Sequence, residues 1–250
     1  MAPLVAELAA AFTQRFPTIS VQVTGVGTSY GLEALLALPA RRSTASSAAP
    51  AGGQGRADEA DIAMASWVPP DVPKDWRVTA IARDGIAVIV HPDNSVDGLG
   101  LLQVRALFGG RADEWQAVDG RPMPGPVQPV SREEGSGTRA VFEALVMEGW
   151  RVTPRAVVAS SSQAVVEFVA GHPEAIGYVS MALVTRKVKV LRIEGELPTP
   201  DSVVQGRYPL GRELWLVTSD PPSSPEQAFL DFASGPVGQQ IVGQRYGRIR

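Results

Sequence analysis

The chain has 250 residues, 44% of them hydrophobic, and a formal net charge of −3. That length supports one large or two small domains with a proper core, and the charge excludes a broad basic field, so no nucleic-acid partner is expected. With no cysteine there is no disulfide, thiolate nucleophile or cysteine metal site; this suits an exported protein.

Met1 leads directly into a helical pattern: Pro3 fits a first turn, and Leu4, Val5, Leu8, Phe12 and Phe16 form one apolar face before Pro17. A chain that opens inside structure, with no secretory signal, reads as shortened at its N-terminus. Ile19, Val21 and Val23 alternate as a strand. Thr24 to Gly31 is a loop rich in glycine and hydroxyls, and Leu32, Leu35 and Leu36 begin a helix. From about 39 to 57 the composition collapses to small residues, proline and arginine, which predicts a flexible insertion. A short strand is expected over 61–66, then two apolar strands, Val78 to Ala82 and Ile86 to Val90. Leu101 to Phe108 is a helix closed by Gly109-Gly110, and Trp115 is a packing anchor in the loop beyond it.

Val127 to Val130 reads as a buried strand, and the helix from Arg139 to Glu148 places Val141, Phe142, Leu145 and Val146 on one face. Between them lies Ser131-Arg132-Glu133-Glu134-Gly135-Ser136-Gly137-Thr138. Free N–H groups at a helix start attract an anion, glycines let the backbone approach it, hydroxyls add donors, and a guanidinium grips two oxygens. A plain capped turn uses the same residue types, so both readings stand at this point. Further on come a strand at 156–159, a helix over 162–170, strands at 175–180, 187–193 and 214–218, and two final helices near 225–233 and 236–244. The alternation argues for an α/β fold. His91 and His172 each precede a proline and read as surface loop residues, so no metal site is expected.

These pieces together resemble the phosphate-binding members of the periplasmic substrate-binding proteins of ABC transporters. The likeness rests on Leu107-Phe108-Gly109-Gly110 with Trp115, on Arg132 with Gly135-Ser136-Gly137-Thr138, on Ala175 to Ser180, and on the ending around Phe232 to Ile241. The resemblance implies a two-lobed, type II binding-protein fold, mixed sheets flanked by helices, with a ligand cleft between lobes. One lobe would hold residues 1–83 and 187–250, the other 84–186. It further implies that Arg132 clamps inorganic phosphate or a similar oxyanion. Ser136, Gly137 and Thr138 would donate to it, as would Thr28 and Ser66, and Glu134 would hold the plane of Arg132. Two departures stand out. The family's first strand and its hydroxyl loop do not precede Met1, and Trp67 follows Ser66 where one branch has an aspartate that accepts the phosphate proton.

The implied function is phosphate capture in the periplasm or outside the cell, free or membrane-anchored, by a monomer that delivers the ion to an ABC permease, with no cofactor. An oxyanion-sensing module signalling to a membrane partner is the alternative. An enzyme such as a phosphatase has little support: the histidines lack metal spacing, and the glycines flanking Ser136 do not match a hydrolase nucleophile elbow.

Overall fold

In the computed structural model, residues 1–36, 60–70, 72–119 and 126–249 are described; the small-residue stretch expected as a flexible insertion lies outside them. They form two compact units, Met1–Ala82 with Leu214–Gln244 and Ile249–Arg250, and Arg83–Glu213 with Arg245–Arg248. The architecture is mixed α/β, helices flanking a mixed sheet, as the sequence predicts.

In the first unit the helix Ala2–Arg15 buries Leu4, Val5, Leu8, Ala9 and Phe12. The Phe12 ring meets Phe229 edge-on at 5.2 Å and Phe232 at 5.5 Å, both from the helix Ser224–Ser234. The strand Ala63–Ala65 runs antiparallel to Trp215–Val217. The helix Thr28–Leu36 packs Leu32 and Leu35 against Ala63, Ala65 and Val217. Ile19, Val21 and Val23 keep a half-buried alternation, but the segment is irregular rather than a strand. Alternation needs only one buried face, whereas a strand also needs a neighbour to bond.

The expected pair of strands at 78–82 and 86–90 is a single strand, Trp76–Val90, which carries the chain from the first unit into the second. Asp84-Gly85 has turn composition yet stays extended. A Cβ on Gly85 would lie 2.9 Å from Pro198 Cβ, so a close approach, not a turn, requires glycine there. The return crossing, expected near Val188, falls at Glu213–Leu214. The chain between them is bonded into the second unit. Val190 pairs with Ile89, Arg192–Ile193 runs parallel to Gly98–Leu99, and the Tyr208 hydroxyl donates to the Ile86 carbonyl at 2.7 Å.

The sheet of the second unit is mixed. Ile86–Val90 runs antiparallel to the strand Ala175–Ser180. That strand runs parallel to Gln128–Arg132, which runs parallel to Val157–Ala159. The helix Ser162–Gly171 lays Val165, Val166 and Val169 on this sheet beside Ile89, Val130 and Val179. Gly177 lets it come close: a Cβ there would stand 2.7 Å from Val165 Cγ1 and 3.0 Å from Val169 Cγ2. Gly177→Ala is therefore expected to destabilise the fold by about 1–3 kcal/mol through overpacking. Urea unfolding of the two proteins reads this directly, and an unchanged midpoint would show that the helix moves away without cost.

Candidate functional site

Arg132 is the last residue of the strand Gln128–Arg132. The chain then turns through Glu133 to Gly135, where Gly135 takes φ 83°, and enters the helix Gly137–Phe142. Ser136 is its N-cap, with Oγ accepting from the Arg139 N–H at 3.4 Å. The helix continues as one wider π-type stretch, Glu143–Met147. Phe142 on this helix stacks on Tyr178 with ring centroids 3.9 Å apart. The Tyr178 hydroxyl thereby reaches Ser131 Oγ at 2.9 Å and accepts the Arg132 N–H at 3.3 Å. Burial, the largest influence on it, pushes the Tyr178 hydroxyl pKa up, so it stays protonated. The strand end is held by an aromatic stack carrying a polar tip.

The Arg132 guanidinium is fixed on two sides. Its Nε and Nη2 donate to Glu133 Oε2 and Oε1 at 2.7 and 2.6 Å, and its Nη1 donates to Ser162 Oγ at 2.7 Å. The acid that holds its plane is thus Glu133; Glu134, expected in that role, is exposed and bonds Arg132 nowhere in the structure. The strand ends at Arg132 and the chain turns at Glu134 and Gly135, so the Glu133 carboxylate folds back onto the guanidinium while Glu134 sits exposed on the turn. A guanidinium carries five N–H donors. Three are spent here, on Glu133 and Ser162, and the remainder lie on Nη1 and Nη2.

The rest of the loop is also rich in unspent donors. Ser136 Oγ accepts from Arg139, and Thr138 Oγ1 accepts from Arg212 Nη1 at 3.1 Å. The protons of both hydroxyls find no acceptor among the described residues, nor do the backbone N–H groups of Gly137 and Thr138. All three residues are buried. In the first unit, Thr28 opens the helix Thr28–Leu36, inside what the sequence suggested was loop. Its Oγ1 accepts the Ser66 N–H at 3.3 Å and lies 3.3 Å from Ser66 Oγ. Two hydroxyls sharing one bond leave one proton to donate. Both side chains are buried.

Four residues escaped the sequence reading as site residues: Glu133, Ser162, Tyr178 and Arg212. Ser162 follows the N-cap Ser161, which accepts from the Ala164 N–H at 3.0 Å, and the Ser160-Ser161-Ser162 run was the available signal. His172 stacks on Phe168 at 3.9 Å, and its Nδ1 bonds the Phe168 carbonyl. Among the described residues no three His, Asp or Glu gather as a metal site.

The family model of the PBP superfamily domain matches residues 1–235. The chain belongs to this superfamily. It is 36% identical over 126 residues to the phosphate-binding protein PstS 2 of Streptococcus pneumoniae, covering 47% of this chain and 43% of that one. To the phosphate-binding protein PstS of Pseudomonas aeruginosa it is 31% identical over 191 residues, covering 67% of this chain and 58% of that one. The match thus spans about half the length of these relatives. Among solved structures, a protein described as a phosphate ABC transporter substrate-binding protein from Clostridium perfringens, with phosphate bound, superposes with TM-score 0.82 at 25% identity. It covers all of this chain, and 96% of its own length is matched. An ABC-type phosphate transport receptor from Vibrio cholerae gives TM-score 0.76 at 25% identity, over 98% of this chain and 95% of that one.

This superfamily member holds its arginine with an acid that titrates. Burial raises the Glu133 pKa, but the hydrogen bonds from Arg132 and from its own backbone N–H, with the charges of Arg132 and Arg139, outweigh it and leave the carboxyl below its usual 4.5. A depressed folded-state pKa gives stability that is present above the unfolded value and lost as pH falls through the folded one. Glu133→Gln is accordingly expected to melt below the parent at neutral pH, with the gap closing in acid below the ordinary carboxylate range. Paired thermal melts across the acid range check this; a gap independent of pH would mean that the charge of Glu133 contributes nothing.

Proposed function

We propose that this chain captures inorganic phosphate and hands it to an ABC permease outside the cytoplasm, as a binding protein without chemistry of its own. The observation that carries the reading is the supply of unspent donors on one loop: the remaining N–H groups of Arg132, the hydroxyl protons of Ser136 and Thr138, and the N–H groups of Gly137 and Thr138. Such a set suits a compact, multiply charged oxyanion. The likeness to the Clostridium perfringens protein with bound phosphate supports the choice of ion. The resemblance assigns Thr28 and Ser66 to the same ion. A hydrolytic role fares worse, because Ser136 caps a helix and no base accepts its proton among the described residues.

The test is calorimetric titration of ion-free protein with phosphate, then sulfate, at neutral pH. Phosphate is expected to bind at micromolar concentration or tighter. Arg132→Ala is expected to weaken it by roughly a hundredfold or more, since two charge-assisted bonds are lost, with circular dichroism unchanged. Arg132→Lys keeps the charge without the fork and is expected to fall between. A Thr28→Val, Ser66→Ala double variant with parent affinity would remove the first-unit pair from the site. Folded parent protein that binds neither ion would overturn the reading.

A further inference from the structure

Arg212 and Asp84 form an ion pair deep in the second unit, and neither carried any signal in the sequence. Their side chains are 5% and 0% exposed, with Nη2 2.8 Å from Asp84 Oδ2. Nε donates to the same oxygen at 3.1 Å, while Ser180 Oγ donates to Oδ1 at 2.8 Å. The Tyr246 hydroxyl, hydrogen-bonded to Ser180, is pushed up to about 12 by burial and then by the Asp84 charge. Asp84 therefore meets donors on both oxygens, and its grip on Nε and Nη2 fixes the guanidinium plane. In that plane Nη1 is turned on Thr138 Oγ1 at 3.1 Å.

A hydroxyl by itself can present either a proton or a lone pair to a ligand, whereas a guanidinium has only protons to give. The Arg212 N–H occupies one of the two lone pairs of Thr138 Oγ1 and turns the hydroxyl proton away from itself, which directs that proton toward a partner. We propose that Arg212, held by Asp84, is a positioning residue that commits Thr138 to act as a donor to the bound anion. The proposal rests on the phosphate reading above. Asp84 balances the charge of Arg212, so the effect runs through the direction of one hydroxyl rather than through added positive potential.

A double-mutant cycle separates this from a purely structural ion pair. The pair is removed with charge conserved, Asp84→Asn with Arg212→Met, in the parent and in a Thr138→Val background, and phosphate affinity is titrated in all four proteins. In the parent background the loss is expected to be about tenfold, the worth of one directed hydrogen bond. In the Thr138→Val background it is expected to fall below about twofold, because no hydroxyl remains to be directed. Thr138→Ser, which retains the hydroxyl, is expected to restore the sensitivity. Equal losses with and without the Thr138 hydroxyl, or no loss in either background, overturn the proposal while leaving phosphate binding intact. Failure of the parent chain to bind phosphate overturns the reading beneath it as well. Arg212→Lys, which keeps an ion pair with Asp84 but not the planar fork, repeats the cycle if the double substitution does not fold; it is expected to lose affinity only where the Thr138 hydroxyl is present.

Discussion

Parallel pairing in the second unit governs where its polar groups collect. Gln128–Arg132 lies between two parallel neighbours, Val157–Ala159 and Ala175–Ser180. Parallel strands end at the same edge of their sheet, and the helices that follow them start there. Arg132 ends one strand, Ser162 opens the helix after the next, and Ser180 ends the third. The register sets Arg132 opposite Ala159, which brings its guanidinium to the serine turn beyond. A slip of one residue would send Arg132 to the other face and break its bond to Ser162. The same register places Val130 opposite Gly177, so that the next residue, Tyr178, reaches Ser131 with its hydroxyl.

Burying charge so close to this edge is costly unless each ion is paired and bonded. The Asp84–Arg212 pair meets that condition through Ser180 and Thr138. It also joins segments far apart in the chain: Asp84 and Arg212 are 128 residues apart, and Arg212 and Thr138 are 74 apart. A pair of this kind adds little net stability compared with apolar packing, but it fixes direction, because a misplaced guanidinium would leave Asp84 unpaired.

What was legible in the sequence was what is local. The helix Leu101–Phe108 follows from its periodicity and its Gly109-Gly110 close. The strand, turn and helix around Arg132 follow from apolar runs flanking hydroxyls and glycines. The helix begins earlier than its apolar face suggested, because the N-cap Ser136 sets its start. Choices made by tertiary packing were not legible. Glu133 and Glu134 are equivalent as letters, and the turn beyond the strand end decides which one meets Arg132. Asp84-Gly85 has turn composition, yet Pro198 and Val203 press on the glycine and Arg212 holds the aspartate, so the strand runs through. Thr28 and Ser66 share a hydrogen bond across 38 residues, a contact that no spacing rule in the sequence announces.

The two guanidiniums of this edge share one logic, which bears on how a chain of net charge −3 presents itself to anions. Glu133 neutralises Arg132 and Asp84 neutralises Arg212. Little net positive charge survives, but the donors do: an acid that takes two N–H groups from a guanidinium leaves the others pointing in known directions. Hydroxyls follow the same rule, since Ser136 and Thr138 accept from a backbone N–H and from Arg212 and so keep their protons outward. An edge built this way attracts by oriented dipoles at contact distance rather than by a long-range field. On the phosphate proposal, such an edge would favour an oxyanion that sheds its water and fits the donors over one that is merely charged, and added salt, which screens fields across solvent far more than buried hydrogen bonds, would have little hold on it.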